Sequence, residues 1–571
     1  MIRAKVWKYR ISWLFALCLL SSMVSGQDKH DEVRIRGTNP GFRQGDWISY
    51  TMTRFVTSAG IGPNYVYFGT TGGIIRYDYF ANQWDYPFTT SSGLADNYVT
   101  AVAFDMTTNI LWCGTRTAIS NYQESSQRWS NTFKDESGIS PYDAIVSIGF
   151  GRTSAFFETS SGLMYRSDRY GGPIFIASRA DVLKDGPVTW NGWRSLRSFN
   201  FPNYHMTNGY LFSIDGYVQD TRLRRAKVTA MINDKWLNSW MGTWGFGVMR
   251  GDLRSEFLTM MPYGLYSPHV RAIAIDENGV WFAGKNENPG VSEDIGRAGV
   301  TYWNQVSGEW RYYESKFDLN LLTDNINRLH VYGDSLFCAT RFGVNILDIS
   351  EGDWYRLTTA DGLLDDNVND LVFSDNTLYL ATNAGLNRID LQRSRSDSLR
   401  TQNLAPKDLN LVRVFDIVLH ENFLWAATEF GLYLYEIDSN RGAFVESADG
   451  PVGEVVISLG VFEHELWVGT VNAVYGLDLK NNKWLDQPEK NLSINYPVRS
   501  LLATAGQVWA GTDGGGLFRL NRETRDWIRY TREDGLLNNH VLEIRRDGDY
   551  LWLGSPEGVT LFFWNDPNRI D

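Results

Sequence analysis

Residues 507–547 read QVWAGTDGGGLFRLNRETRDWIRYTREDGLLNNHVLEIRRD. This stretch holds four short apolar runs, and the first two flank a glycine-rich turn that begins at Gly511-Thr512. The third run starts at Trp527, and the fourth follows the turn Asp534-Gly535-Leu536. Four short strands joined by turns within about forty residues are the size of one β-propeller blade. The stretch therefore predicts a four-stranded sheet.

The same unit recurs along most of the chain. Equivalents of Gly511-Thr512 are Gly69-Thr70, Gly114-Thr115, Glu158-Thr159, Gly242-Thr243, Ala283-Gly284, Ala339-Thr340, Ala381-Thr382, Ala427-Thr428, Gly469-Thr470 and Gly554-Ser555. Most neighbouring copies stand 41 to 46 residues apart. An Asp, Asn or Gln six residues before a Trp repeats in step, at Asp78, Gln123, Asn304, Asp348, Asp478 and Asn521. Two markers that keep the same period predict a propeller.

The number of blades depends on the interval between Glu158 and Gly242. It is 84 residues long, which is two repeats, yet it holds one poor signature. We favour twelve blades; eleven, with two longer loops, is the alternative. Because twelve are too many for one ring, we predict an all-β fold of tandem β-propellers built from about twelve four-stranded blades. The predicted first propeller spans 47–304 and the second 305–571, six blades each; seven and five, with a seam near Asp348, is the alternative.

An isolated strand near the N-terminus predicts how the fold closes. The last repeat lacks its Trp-started strand, and the chain begins with such a strand, Trp47-Ile48-Ser49-Tyr50. Pairing this strand with the C-terminal blade would remove an exposed sheet edge. If each ring has its own closing strand, Trp47–Tyr50 would close the first and Trp310–Tyr313 the second.

The N-terminal residues have the pattern of a secretory signal. Residues 1–10 are basic, 11–24 are mostly apolar, and small residues precede Gln27, so we predict a signal peptide over 1–26 and a short segment over 27–46. The apolar run of fourteen residues is shorter than the roughly twenty that span a bilayer. A lipid anchor on Cys18 is the rival, which Leu17 disfavours. We predict a periplasmic or secreted bacterial protein with no membrane span.

Composition excludes one class of partner. The 571 residues carry a net charge of -12 and show no basic stripe, which argues against nucleic-acid binding.

Cys113 and Cys338 occupy the same repeat position, and we predict two separate, buried thiols.

The repeat also resembles a known family. Its pattern is Asp-Gly-Leu, Asn, an apolar strand, then Leu-Trp-x-Gly-Thr-x-x-Gly-Leu, carried clearly by residues 466–470, 508–516 and 551–558. This pattern is similar to the two-component regulator propeller repeat, and the resemblance implies an exported, sensor-type β-propeller. The sequence shows no immunoglobulin-like spacer, membrane helix, kinase or DNA-binding segment after the repeats, so the resemblance does not imply signal output through this chain.

Candidate binding residues follow from the topology. If the strands run outward from the axis, the inter-blade loops and the Gly-Thr-x-x-Gly loops share one face, and loops on a rigid scaffold commonly bind ligands. The polar and aromatic residues that vary on this face are Arg116, Trp244, Arg341, Asn383, Glu429 and Asp513. Ordinary solvated loop residues are the alternative for each.

Two further features lie near this face. The insertion 285–298 is either a lid or docking loop, or a tolerated surface loop. Trp236, Trp240, Trp244 and Phe246 form either a sugar-stacking platform or strand packing, and we favour strand packing.

Signals for catalysis are poor. The seven histidines show no pair at metal-ligand spacing, and the sequence has no nucleophile elbow, phosphate loop or calcium loop. We therefore predict no catalytic residue, no metal and no cofactor. The predicted function is an exported, non-enzymatic, sensor-like propeller that binds a carbohydrate or protein ligand, with an envelope or signalling partner. A secreted carbohydrate-active lyase or hydrolase, and an envelope-complex scaffold, are the alternatives.

Overall fold

The computed structural model describes residues 46–192, 201–206, 209–284, 299–314, 321, 325–391, 401–404, 407–446, 450–451, 453–485 and 494–565. The predicted signal peptide, the segment 27–45 and the loop 285–298 lie outside this part of the chain. The described residues hold one α-helix, α1 (Arg179–Lys184), and three single-turn 3-10 helices, Thr90–Ser92, Thr359–Asp361 and Arg532–Asp534. None of these helices is long and apolar enough to cross a membrane.

Forty-eight strands form eleven sheets within the described ranges, numbered here as blades 1 to 11 in chain order. The first strand, β1 (Trp47–Tyr50), belongs to blade 11. Blade 1 contains β2 (Val56–Ile61), β3 (Tyr65–Thr70), β4 (Gly73–Asp78) and β5 (Gln83–Phe88), and blade 2 contains β6 (Val99–Asp105), β7 (Ile110–Thr115), β8 (Ala118–Gln123) and β9 (Arg128–Phe133). Blade 3 contains β10 (Ile145–Phe150), β11 (Ser154–Thr159), β12 (Met164–Asp168), β13 (Phe175–Ala177) and β14 (Thr189–Gly192). Blade 4 contains β15 (His205–Met206), β16 (Leu211–Ser213), β17 (Tyr217–Gln219), β18 (Arg225–Asn233), β19 (Asn238–Thr243), β20 (Val248–Asp252) and β21 (Phe257–Met261).

The remaining blades each have four strands. Blade 5 contains β22 (Ala272–Ile275), β23 (Gly279–Ala283), β24 (Gly299–Asn304) and β25 (Trp310–Glu314), and blade 6 contains β26 (Ile326–Tyr332), β27 (Ser335–Thr340), β28 (Gly343–Asp348) and β29 (Trp354–Leu357). Blade 7 contains β30 (Val368–Ser374), β31 (Thr377–Thr382), β32 (Gly385–Asp390) and β33 (Thr401–Leu404), and blade 8 contains β34 (Val414–His420), β35 (Phe423–Thr428), β36 (Gly431–Glu436) and β37 (Arg441–Phe444). Blade 9 contains β38 (Val456–Phe462), β39 (Glu465–Thr470), β40 (Val474–Asp478) and β41 (Lys483–Trp484), and blade 10 contains β42 (Val498–Ala503), β43 (Gln507–Thr512), β44 (Leu517–Asn521) and β45 (Trp527–Tyr530). Blade 11 contains β46 (Glu543–Asp547), β47 (Tyr550–Ser555), β48 (Gly558–Phe563) and β1.

The repeat markers have the structural roles that the sequence predicts. Asp78 ends β4, and its Oδ1 accepts hydrogen bonds from the amides of Phe80 and Ala81 at 2.8 and 2.9 Å. Asp478 and Asn521 cap their turns in the same way. The Trp six residues later lies in the outer strand. The capped turn therefore sets the register of the outer hairpin.

The innermost strand of nine blades contains a β-bulge. In blade 1 the pairing shifts between Val56 and Ser58, and the same shift occurs after the first residue of β6, β10, β26, β30, β34, β38 and β42, and near the middle of β18. A bulge leaves one residue unpaired and redirects its side chain. In blades 1 to 4 the residues at this position, Thr57, Thr100, Val146 and Thr229, line one cavity of about 430 Å³.

Contacts between innermost strands divide the blades into two groups. Strands β22, β26, β30, β34, β38, β42 and β46 contact one another in a closed cycle, which we call the seven-blade ring. Strands β18, β2, β6 and β10 contact in that order and form the four-blade set. Asn191 in β14 donates to the carbonyls of Ala59 and Val102 at 2.8 and 3.0 Å, which joins blades 1, 2 and 3.

The described residues between 160 and 237 do not form a blade of their own. Instead β13 and β14 extend blade 3, and β15, β16 and β17 extend blade 4. The described residues thus contain eleven blades, the count that the sequence treats as the alternative to twelve. A repeat interval of double length is equally compatible with an extra blade and with enlarged neighbours, because both use the same number of residues.

Strand β1 closes the seven-blade ring, as predicted for the C-terminal blade. It pairs with β48, and the ring of Trp47 stacks on Phe562 with centroids 3.8 Å apart. Trp310 instead pairs with Trp303 inside blade 5. Blade 5 therefore contains residues on both sides of the domain boundary predicted between 304 and 305.

One apolar core joins the two groups of blades. Tyr50 of blade 11, Phe68 of blade 1, Trp240 of blade 4 and Phe282 of blade 5 are buried in the same cluster. Trp240 lies fully buried there, which confirms strand packing as its role. The two groups belong to one compact unit, residues 41–569.

Cys113 and Cys338, the cysteines within the described ranges, are buried and unpaired, as predicted. Cys113 lies in β7 and Cys338 in β27, and burial raises the pKa of both thiols. We expect a disulfide reagent to modify neither thiol in the native protein and both after denaturation without reductant. Thiol counting on a chain that starts at Gln27 measures this. A count of zero in denaturant would contradict the assignment.

Candidate functional site

The axis of the seven-blade ring contains a cavity of about 730 Å³. Each blade contributes the residue that follows a fully buried Val or Ile at the start of its innermost strand. These residues are Arg271, Asn327, Asn369, Phe415, Ile457, Arg499 and Leu542. One side chain per blade reaches the axis from the same position of the repeat, and in blades 6 to 10 this residue lies at the β-bulge.

Two lining amides also join neighbouring blades. Asn327 Nδ2 donates to the carbonyl of Val368, and Asn369 Nδ2 donates to the carbonyl of Val414, both at 2.7 Å. Thr57 makes the same bond to Val99 in the four-blade set, at 2.8 Å. Because their Nδ2 donors bond across the gap between blades, these amides hold the wall of the cavity in place.

Arginines give the mouth of the cavity a positive character within an acidic chain. Arg413 is exposed, and its guanidinium lies 4.8 Å from the centre of the Phe415 ring. Arg499 is 44% exposed and Arg271 is half-buried. Arginine presents several donors in a fixed planar arrangement that matches carboxylates and phosphates. The mouth is therefore suited to an anionic group.

A histidine and an aspartate face each other at the same mouth. His540 Nδ1 lies 2.6 Å from Asp513 Oδ1, and Arg499 Nη2 lies 2.6 Å from Asp513 Oδ2. Partial burial opposes ionisation of Asp513, but the hydrogen bonds from Arg499 and His540 outweigh it and lower the pKa of the carboxyl. Asp513 is thus an anion that orients one arginine and one imidazole at the rim.

A buried ionic cluster forms the floor of the cavity. Arg328 is 16% exposed and contacts three carboxylates from three other blades. Its Nε lies 2.7 Å from Asp370, its Nη2 lies 3.0 Å from Asp416, and its Nη1 contacts Glu543. Arg545 balances this last carboxylate at 2.9 Å. The guanidinium therefore connects blade 6 with blades 7, 8 and 11 across the axis.

The pKa values of the two buried aspartates in the floor shift in opposite directions. Burial and the neighbouring Asp370 raise the pKa of Asp416, although Arg328 opposes the shift. Burial also disfavours ionisation of Asp370, but the ion pair with Arg328 is stronger and lowers the pKa of this carboxyl. Arg328 and Arg545 thus contact the acids of the floor, while Arg271, Arg413 and Arg499 lie at the rim.

The predicted binding residues fall into separate places. Asp513 lines the axial cavity, and Asn383 and Glu429 contact residues that line it. Arg341 is exposed on a turn of the same ring and lies over the Phe342 ring. Arg116 pairs with Asp96 in blade 2, and Trp244 packs against Phe55 beside blade 4, so both belong to the four-blade set.

Sequence reasoning missed the residues that line the axis. It examined the turns after Gly-Thr, whereas the lining comes from the residue after the first buried Val or Ile of each repeat. That position is readable once the repeats are aligned, since it directly follows the buried Val or Ile. What the sequence does not show is that the same position of all seven blades meets at one axis.

No protein-family model matches the chain. A curated relative, histidine kinase P4 of Formosa agariphila, is 28% identical over 144 residues, which are 23% of this chain and 10% of the relative. The structure of PorZ, described as an essential bacterial surface component of the type-IX secretion system of Porphyromonas gingivalis, has a TM-score of 0.56 at 14% identity and is matched over 91% of this chain and 87% of that one. An extracellular domain assigned to a hybrid two-component system of B. thetaiotaomicron has a TM-score of 0.46 at 17% identity, over 90% and 71%.

These comparisons agree with the fold. The similarity to PorZ over most of both chains and the eleven blades confirm the predicted all-β propeller architecture. The similarity to a histidine kinase fits the predicted resemblance to the propellers of two-component regulators, although the match covers only a tenth of that relative.

Proposed function

We propose that this chain is an exported, non-enzymatic binding protein that holds an acidic carbohydrate at the axial cavity of the seven-blade ring. The observation that supports this proposal is the rim of Arg271, Arg413 and Arg499 around a cavity of about 730 Å³. That volume lies in the range of small-ligand sites, roughly 300–1,000 Å³.

The chemistry of the rim favours a sugar acid over a neutral sugar. Arg413 offers paired N–H donors for a carboxylate, whereas Nε and Nη2 of Arg499 already donate to Asp513 and leave its Nη1 for a ligand. Phe415 presents an apolar ring on which a sugar face packs. The apolar part of the cavity lining is small, which favours a polar ligand over an apolar one.

The proposed domain bounds differ from those that the sequence predicts. We propose two propellers, one of four blades over 56–261 and one of seven blades over 272–563 together with β1. The ligand site then belongs to the seven-blade propeller, and the four-blade propeller carries Arg116 and Trp244 at a second location.

The experiment is a glycan array that compares acidic with neutral glycans, followed by titration of the best ligand. We expect Arg413→Ala to weaken binding about 10- to 100-fold, because one charge-assisted hydrogen-bonding group is lost. Binding should also weaken as sodium chloride is added. The affinity of each variant is measured by calorimetry.

Arg116→Ala is the matched control. Arg116 follows a Gly-Thr pair, is 68% exposed and lies in the four-blade set. This variant should bind as the parent does. If Arg116→Ala loses the ligand and Arg413→Ala keeps it, the site lies in the four-blade set and the proposal is wrong.

A second candidate function, a secreted carbohydrate-active enzyme, has one observation in its favour. The His540 and Asp513 pair stands beside Arg499 at a cavity mouth, and an imidazole oriented by a carboxylate is a common general base. Incubation with acidic polysaccharides, with product detection by mass spectrometry, tests it. Turnover that disappears in His540→Ala would favour the enzyme over the binding protein.

An envelope scaffold is the third candidate. It rests on the similarity to PorZ, a surface component of a secretion system. Co-purification of a stable envelope complex that survives Arg413→Ala would favour the scaffold over the ligand-binding protein.

A further inference from the structure

Two neighbouring hairpins of the seven-blade ring carry two histidines and a glutamate at their tips. His420 is the last residue of β34, whose first residues line the axial cavity, and Glu421 follows it in the turn. His464 lies in the turn between β38 and β39 of the next blade. The group is therefore at the far end of the innermost strands from the cavity and separate from the proposed ligand site.

The three side chains are close enough to share one ion. Their potential ligand atoms all lie within 4.8 Å of one another. His420 Nε2 stands 3.9 Å from Glu421 Oε1, and the two imidazole rings are 5.9 Å apart with an angle of 88°. Edge-to-face rings allow a nitrogen of each to point at a common position.

We propose that His420, Glu421 and His464 form a zinc site that joins blades 8 and 9. Two imidazoles and one carboxylate are a ligand set of open zinc sites, in which water occupies the fourth position. Zinc bonds of roughly 2.0–2.1 Å place neighbouring ligand atoms roughly 3.3 Å apart in a tetrahedron. Glu421 is 65% exposed and His464 is exposed, so both side chains are able to rotate inward by the required distance.

The backbone holds the two tips in a fixed relation. His420 pairs with Phe423 across a two-residue turn, and Phe462 pairs with Glu465 in the same way. Glu421 and Glu463 both adopt left-handed φ, 52° and 50°, so the two turns have the same form. Innermost strands β34 and β38 contact each other directly. A metal at the tips would thus add a link between two blades already in register.

The sequence predicts no metal site because its histidines are not at the short spacings of a metal motif. His420 and His464 are 44 residues apart, which is one repeat. In a propeller this separation places two residues at equivalent ends of neighbouring blades, and the ligands become adjacent only through the fold.

The test is a zinc titration of the whole protein after removal of metals with EDTA, at pH 7.5. We expect one zinc per chain by calorimetry, and a higher melting temperature with zinc that EDTA reverses. His464→Ala should lose this site, and Glu421→Gln should bind at least about tenfold more weakly. Without zinc, both variants should melt as the parent does, since both side chains are exposed.

His205→Ala is the matched control, because His205 is an exposed histidine in the four-blade set. It should bind one zinc with unchanged affinity. The proposal fails if the parent does not bind zinc, if both His464→Ala and Glu421→Gln bind as the parent does, or if His205→Ala weakens binding equally.

Discussion

Removal of β1 should abolish the stability of the seven-blade ring. A chain that starts at Thr51 lacks Trp47, Ile48 and Tyr50, each no more than 8% exposed. Their burial contributes on the order of 5–9 kcal/mol, at about 1.5–3 kcal/mol for each large apolar side chain. That sum is comparable with the whole stability of a typical domain, about 5–15 kcal/mol. We expect aggregation, or a melting temperature lower by tens of degrees, in thermal unfolding followed by tryptophan fluorescence.

A chain that starts at Asp46 is the control, because it keeps β1. It should melt close to the temperature of the chain that starts at Gln27. Addition of a synthetic peptide with the sequence of residues 46–52 should restore part of the stability of the shortened chain. Equal melting of the Thr51 and Asp46 chains would show that β1 does not close the ring.

Replacement of the central arginine should be the most damaging single substitution at the axis. Arg328→Met leaves Asp370, Asp416 and Glu543, none more than 9% exposed, without their shared cation. Removing one partner of a buried ion pair costs about 3–5 kcal/mol, because the remaining charge stays buried. Chemical denaturation by urea measures the loss.

The pH dependence of this variant separates charge from packing. Without the arginine, burial and mutual repulsion raise the pKa values of Asp370 and Asp416 above those of the unfolded chain. A raised pKa in the folded state means that stability is present at low pH and is lost as the pH rises through the folded value. The deficit of Arg328→Met should therefore shrink between pH 7 and pH 5.

Two further variants serve as controls for Arg328. Arg341→Met removes an exposed arginine of the same blade and should change the free energy of unfolding by less than about 0.5 kcal/mol. Addition of Asp370→Asn and Glu543→Gln to Arg328→Met should recover part of the loss. No recovery, together with a deficit independent of pH, would show that the cost comes from packing alone.

The local fold could be predicted because each blade is a local unit. Asp78 caps its own turn, the Gly-Thr pair ends the second strand, and Trp84 in the outer strand pairs with Tyr77 of the same repeat. Hydrophobic alternation and turn residues act over these short distances. The grouping of the blades was not predictable in this way, since the four-blade set and the seven-blade ring are built from the same repeat.

The candidate site was predicted only in part for a related reason. The sequence identifies Asp513 because the residue at this position differs between repeats while the turn around it stays the same. Asp513 lines the cavity. Arg413 and Arg499 escaped notice because each precedes or enters a strand, where a charged residue ordinarily faces solvent. Arg328 is absent from the sequence prediction, because only the meeting of four blades at one axis makes it a buried centre of charge.

The order of the blades along the chain has a consequence for the time course of folding. Ser49 of β1 and Thr560 of β48, which hydrogen bond to each other, are 511 residues apart. Blades 1 to 4 lie between them and use pairings within short segments, so they are able to form as the chain emerges. The seven-blade ring cannot close before β48 has been synthesised. Until then β1 remains an unpaired apolar strand. We therefore expect a fast phase in which the four-blade set forms, and a slow phase that ends when the residues synthesised first meet those synthesised last.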